Sequence, residues 1–198
     1  KLQKRRIPII DFEKLANHRG SAFGSIGLGV PTNQKHFDSL LYEQLKKLSD
    51  APLIAVESES RRIGMSVLPN FFLNAKKNGI HILLQRSLES RIKQIYDEYF
   101  KTYQQSQSAF VERTLESIQS IKKHIIKKLG TARYKKLVTD CQQGHLKKVI
   151  DTLLTKYYDP LYKHSQEQHD NFSLILQQDN LEKVATQIKK FTADLPVN

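Results

Sequence analysis

Ile9-Ile10-Asp11-Phe12-Glu13-Lys14-Leu15-Ala16-Asn17-His18-Arg19-Gly20-Ser21-Ala22-Phe23-Gly24-Ser25-Ile26-Gly27-Leu28-Gly29 decides how the chain is read. Ile7 to Ile10 is a short β-branched run closed by Asp11, the pattern of a buried parallel strand whose carboxyl end delivers a charged group into a crevice. A loop is expected after it. Asn17, His18 and Arg19 bring together an amide, an imidazole and a guanidinium, and Gly20, Gly24, Gly27 and Gly29 free the backbone to approach an anion closely. Four of the eight glycines of the chain lie here. On composition alone the same stretch reads as a flexible surface loop rich in turn residues. It contains neither G-x-x-x-x-G-K-[ST] nor G-x-G-x-x-G, so generic phosphate-loop and dinucleotide motifs do not apply.

Downstream, Pro31-Thr32-Asn33 is a start signal for an amphipathic helix with Phe37, Leu40, Leu41, Leu45 and Leu48 on one face. Ser49-Asp50-Ala51-Pro52 hands over to Leu53-Ile54-Ala55-Val56, a second buried strand that ends in Glu57-Ser58-Glu59-Ser60-Arg61-Arg62-Ile63-Gly64. An acid at a strand tip can hold a metal or orient water, while the bland reading is a solvated cluster of paired charges. Adjacent Arg61 and Arg62 suit phosphate, because each guanidinium is a planar fork of donors that stays charged. Val67, Leu68, Phe71, Phe72 and Leu73 fit a short helix, Asn78-Gly79 a turn, and Ile80 to Leu84 a third strand. Ser87 caps the following helix, which carries Arg91.

Length and charge set the class. With 198 residues the chain has room for a real core, in one sizeable domain or a little more. A net charge of +12 and a pI of about 9.7 attract polyanions, nucleic acid first and a membrane surface second. No run approaches the length of a spanning helix, and Lys1-Leu2-Gln3-Lys4-Arg5-Arg6 leads into a strand rather than a signal peptide. The lone Cys141 forms neither an internal disulfide nor a thiolate cage, which agrees with a reducing compartment, and a cytoplasmic location is expected.

Polar Gln104-Gln105-Ser106-Gln107-Ser108 marks a boundary, giving an α/β part over 1–104 and a helical, basic part over 105–198. Phe110 through Leu129 reads as one apolar face ending at Gly130, Tyr134 through Cys141 as a second, and Leu146 through Tyr157 as a third. Cys141 fits the core periodicity as a buried thiol. Lys122, Lys123, Lys127, Lys128, Lys135, Lys136, Lys147 and Lys148 fill the opposite faces, either for solubility or as the footprint of a nucleic acid. Pro160 predicts a helix end at Asp159. The tyrosines at that break, Tyr157, Tyr158 and Tyr162, either stack on unpaired bases or cap the helical core. His164 and His169 have no Cys or third ligand, so no metal site is read there. Phe172 to Leu176 reads as a last strand, with a final helix from Asp179-Asn180.

Asp-Phe-Glu-Lys-Leu-Ala-Asn-His-Arg-Gly-Ser-Ala-Phe-Gly resembles the D-L-E-G-L-A-N-H-R-G-S-A-F-G signature of tRNA 2-selenouridine synthases. Glu57-Ser58-Glu59-Ser60-Arg61-Arg62-Ile63-Gly64 is similar to their E-x-E-S-R-R-I-G element, and Tyr157-Tyr158-Asp159-Pro160-Leu161-Tyr162 to their Y-Y-D-P-x-Y element. The resemblance implies an α/β fold, a P-loop-like parallel sheet remnant followed by a mainly helical C-terminal domain. It implies conversion of wobble 2-thiouridine to 2-selenouridine through an S-geranyl intermediate, with geranyl diphosphate and selenophosphate as co-substrates. Asp11, Arg19, Glu57 and Glu59 are then the catalytic candidates. Asn17, His18, Arg19, Gly20, Ser21, Arg61, Arg62 and Arg91 bind phosphate or diphosphate, and Asp11, Glu57 or Glu59 either holds Mg2+ or tunes the arginines. Lys122, Lys123, Lys127, Lys128, Tyr157, Tyr158 and Tyr162 face the tRNA anticodon stem-loop.

The chain departs from the family pattern in lacking a rhodanese-like domain and a Walker A loop, so it is expected to be a C-terminal piece or a shortened paralogue completed by that N-terminal part. The other readings are a non-catalytic tRNA-binding module and a P-loop-like small-molecule kinase, the latter disfavoured without a phosphate loop.

Overall fold

Two short apolar pairs of residues begin the sheet structure. β1 (Ile9–Ile10) and β2 (Ala55–Val56) pair in parallel, Ile9 opposite Ala55 and Ile10 opposite Val56. Parallel strands need a crossover. It is supplied by α1 (Phe12–Ala16) and α2 (Gln34–Lys47), the second of which is capped by the Asn33 side chain accepting the His36 N–H at 2.9 Å. The computed structural model describes residues 1–102, 107–167 and 171–195.

The chain divides into two compact units. One holds residues 1–25, 30–85 and 173–198, the other residues 26–29 and 86–172. The expected boundary at 104/105 lies outside the described residues. In sequence the units exchange near 85/86 and 172/173, where the C-terminal strand returns to the first unit.

In the first unit, Ile10, Phe12, Leu15, Ala16, Phe37, Leu41, Ile63, Leu68 and Phe72 form the core. Phe12 and Phe72 meet edge to face with centroids 5.2 Å apart. A hairpin follows β2. β3 (Arg62–Ile63) and β4 (Ser66–Val67) are antiparallel, and Gly64, with φ 58°, takes the first central position of their two-residue turn, where II′ turns place glycine. The Gln34 amide covers this hairpin by accepting the Val67 N–H at 2.7 Å and donating to the Val67 carbonyl at 3.1 Å. α3 (Asn70–Asn78) leads to β5 (Ile82–Gln85).

The second unit is helical. α4 (Leu88–Thr102) is capped by Ser87, whose hydroxyl accepts the Ser90 N–H at 3.2 Å. The single apolar face expected from Phe110 to Leu129 is in fact two helices, α5 (Gln107–Ser120) and α6 (Lys122–Leu129). Ile121 leaves the helical region at φ −104°, ψ 16°, after Ser117 and Ser120 have turned their hydroxyls onto the carbonyls of Arg113 and Ser117. α7 (Thr131–Gln142) and α8 (Leu146–Thr152) follow, and Ile118, Ile125, Leu137, Cys141 and Val149 are fully buried. Burial pushes the Cys141 thiol up to about 11, which makes it an inert core residue.

The helix end expected at Asp159 does not occur. Asp159 is helical at φ −56°, ψ −41°, and the chain continues from α8 through a π-helical segment, Leu153–Tyr158, into α9 (Asp159–Glu167). The Asp159 N–H reaches back five residues to the Leu154 carbonyl, and this wider turn accommodates the proline ring that a regular turn would obstruct. Arg91 then clamps Asp159 with both arms of its fork, at 2.5 and 3.0 Å.

The chain returns to the first unit as β6 (Leu174–Gln177), parallel to β5 with Ile82 opposite Leu174 and Gln85 opposite Gln177. α10 (Leu181–Ala193), capped by Asn180, closes it, and its Glu182 pairs with Lys1 at 2.6 Å. The fold class is therefore α/β, with short parallel strands followed by helices.

Candidate functional site

Because β1 and β2 are parallel and in register, the residues that follow them, Asp11 and Glu57, emerge side by side. Asp11 caps α1, accepting the Lys14 N–H at 2.8 Å, and Glu57 Oε2 accepts the Phe12 N–H at 2.9 Å. Burial raises the Glu57 carboxyl to about 7, against the two backbone N–H bonds and with help from the hydrogen bond and charge of Asp11. Near neutral pH the Glu57 carboxyl is therefore partly protonated.

A raised acid pKa means that the folded state binds the extra proton, so stability falls as pH rises from about 4.5 to about 7. Glu57→Gln removes that fall. The variant is expected to gain about 1 kcal/mol over wild type above pH 7, since the carboxyl keeps part of its water, and to match it near pH 4. Denaturant titrations at both pH values check the difference.

Glu59 lies on the other side of the loop. Its carboxylate rests against Gly20, where a Cβ would stand 2.5 Å from Oε2. Burial raises its pKa, opposed by the charge of Lys76 and a hydrogen bond from the Glu13 side chain. Lys76, from α3, donates to the Glu59 carbonyl, and burial lowers its own pKa against the pull of Glu59 and Glu57. Lys76 and Glu13 were invisible in the sequence. Lys76 looked like an ordinary base at the end of a short helix, and only the packing of α3 sets it between two acids.

The loop after α1 turns on Asn17, left-handed at φ 47°, which also donates to the Val30 carbonyl at 2.9 Å. His18 then enters a slot made of glycines. A Cβ on Gly24 would stand 2.6 Å from its ring, and one on Gly64 would stand 2.6 Å from Cγ. Nδ1 accepts the Gly20 N–H at 3.1 Å. Burial and then the Arg19 charge lower the His18 pKa, so the ring is a neutral wedge with Nε2 as the nitrogen left for a ligand. The wedge joins the Arg19 loop to the hairpin. Ser21 tightens the same loop, its hydroxyl accepting the Phe23 N–H at 3.2 Å. Arg61 and Arg62 are exposed on that hairpin and make no ion pair among the described residues.

Asp11, Asn17, His18, Arg19, Gly20, Ser21, Glu57, Glu59, Arg61 and Arg62 thus belong to the first unit, whereas Arg91 belongs to the second and is engaged with Asp159. Among the described residues no group of three acids, histidines or cysteines could hold a metal. Asp11 and Glu57 each accept one backbone N–H, from Lys14 and Phe12. His169 and the side chain of His164 lie outside the described residues.

In the second unit Lys122, Lys123, Lys127 and Lys128 are all exposed on α6. Tyr157 is only 8% exposed, and it caps the core rather than meeting solvent. Tyr162 is 59% exposed and stacks with Tyr158, ring centroids 6.3 Å apart.

A sequence model of the family described as "tRNA 2-selenouridine synthase AAA domain" matches residues 1–194. The chain belongs to that family. It is 33% identical over 184 residues to the tRNA 2-selenouridine synthase of Shewanella loihica, covering 81% of this chain and 48% of that protein. Toward the tRNA 2-selenouridine synthase of Sulfurovum sp. it is 29% identical over 208 residues, covering 96% of this chain and 56% of the relative. The chain spans about half the length of the curated relatives it matches. No solved structure matches it. Among the described residues no helix is long and apolar enough to cross a membrane.

Proposed function

We propose that the chain is the phosphate-handling and tRNA-binding part of a transferase that converts wobble 2-thiouridine to 2-selenouridine through an S-geranyl intermediate. The observation that carries this reading is the site at the carboxyl ends of β1 and β2. There the Asp11–Glu57 pair shares a unit with the His18-pinned loop of Arg19 and the hairpin of Arg61 and Arg62. Ligands of open parallel sheets lie beyond the strand carboxyl ends. As the uridine sulfur displaces diphosphate from geranyl diphosphate, negative charge grows on the leaving oxygens, and positioned guanidiniums stabilise it. The same forks suit the phosphate of selenophosphate. Glu57, partly protonated near neutral pH, supplies a proton, or the acids tune the arginines.

The test is mass spectrometry of an anticodon stem-loop carrying 2-thiouridine after incubation with the chain and geranyl diphosphate. A geranyl adduct on sulfur is expected. Tight binding without an adduct favours the second reading, a tRNA-binding module that works beside a partner carrying the Walker A and rhodanese-like parts. One observation supports that alternative: β1–β2 and β5–β6 are separate two-stranded parallel sheets, each with edges that have no strand neighbour among the described residues. Parallel sheets are seldom stable at that size, and a further strand would complete them.

Reversing the charge of Lys122, Lys123, Lys127 and Lys128 to glutamate is expected to weaken stem-loop affinity by roughly 10²-fold and to flatten its salt dependence. Fluorescence titrations at two salt concentrations read both effects. Unchanged affinity would take the α6 lysines out of the tRNA interface.

A further inference from the structure

The helical unit carries a cleft of about 520 Å³ lined by Tyr96 of α4 and by Gly144, His145, Leu146, Lys147 and Lys148 at the turn into α8. Asp140 organises this turn. Its side chain, 9% exposed, meets Lys148 at 3.2 Å, Lys136 at 3.7 Å and His145 Nδ1 at 3.8 Å. Burial pushes Asp140 up, but the hydrogen bond from Lys148 and the charges of Lys136 and Lys148 hold it below the usual carboxylate range. The acid is therefore a fixed anion that holds two lysines of successive helices in place.

Lys147 points the other way, with Nζ 5.2 Å over the centre of the Tyr96 ring. An ammonium on an aromatic face is held by the same π surface that a nucleobase stacks on, and stacking brings about 1–3 kcal/mol per base. A base taking that face would leave the lysine free to meet the adjoining phosphate. A duplex keeps its bases stacked internally and offers none, and a lipid surface would want exposed apolar side chains, whereas Leu146 of the lining is only 4% exposed.

We infer that this cleft seats one unpaired nucleotide of an RNA, its base on Tyr96 and its flanking phosphates on Lys147 and Lys148. The inference rests on the tRNA-binding reading and gives it a definite seat.

The test is fluorescence anisotropy of the 198-residue chain with a labelled anticodon stem-loop and with a labelled RNA duplex of the same length. Tyr96→Ala is expected to weaken stem-loop binding roughly tenfold and leave duplex binding unchanged, whereas Tyr96→Phe keeps both. Lys147→Glu, an exposed position that does not endanger folding, weakens stem-loop binding and lowers its salt slope by about one. Should Tyr96→Ala fail to fold, the Lys147→Glu titration decides. Equal losses on both RNAs with Tyr96→Ala, or full affinity with Lys147→Glu, would overturn the assignment. If the α6 lysine reversals abolish binding and these variants do not, the tRNA reading stands and the cleft falls. A wild-type chain that prefers anionic vesicles, or binds no RNA, removes both.

Discussion

Gly64→Ala is expected to lower stability by about 3 kcal/mol and to displace the Arg19 loop. Two costs add. At φ 58° a side chain in the left-handed region brings about 1 kcal/mol of strain. Its Cβ would also stand 2.6 Å from His18 Cγ, 2.8 Å from Cδ2 and 3.0 Å from Cβ. The imidazole has nowhere to retreat, since Gly24 presses its opposite side and Gly20 holds Nδ1. The loop must therefore open, carrying Arg19 away from the hairpin. Denaturant unfolding of a double-mutant cycle separates the costs. His18→Ala is expected to relieve the steric part in the Gly64→Ala background and leave about 1 kcal/mol from the backbone. Additive losses would show that the slot does not depend on the ring.

Arg61→Ala with Arg62→Ala is expected to cost roughly 10²-fold in affinity for inorganic diphosphate, read by calorimetry without any need for turnover. A charge-assisted bond from a guanidinium is among the stronger polar contacts, and the exposed hairpin leaves both forks clear of internal ion pairs among the described residues. Lysines at the two positions should recover only part of the affinity, because an ammonium keeps the charge and loses the planar fork. Salt sensitivity without a difference between arginine and lysine would mean that charge alone is read there. Unchanged diphosphate binding in the double alanine variant would remove the hairpin from the phosphate site.

The strand tips were legible in sequence because each rests on a short apolar run closed by an acid, Ile10-Asp11 and Val56-Glu57, and register did the rest. The expected strand at Ile80 to Leu84 and the last one at Phe172 to Leu176 start two residues late and end one late, at Ile82–Gln85 and Leu174–Gln177. Five-residue α1 is too short to show a helical period, so it read as loop. Glu57 to Gly64 reads as a charged signature and Val67 as part of a short helix, so the hairpin of Arg62 to Val67 goes unseen although Gly64 sits where a tight turn wants it. The break at Ile121 was hidden because the apolar residues keep their spacing across it. The rule that proline ends a helix failed at Pro160 because a wider turn was open to the chain. The contacts of Lys76 with Glu59 and of His18 with Gly64 join residues far apart in the chain, and no local pattern encodes them.

Ile82 waits for Leu174. The residues between these partners form a helical unit of mostly local contacts, the kind that folds quickly, whereas closing a loop of that length costs on the order of 4 kcal/mol in chain entropy. During synthesis the helices can therefore assemble while the first unit still lacks β6 and α10. The first unit is completed only once β6 and α10 have been made, and the Lys1–Glu182 pair joins two of its segments that lie far apart in the chain. Stopping the chain before Leu174 would leave a finished helical unit attached to an unfinished sheet, so cleavage there removes part of the first unit rather than a dispensable tail.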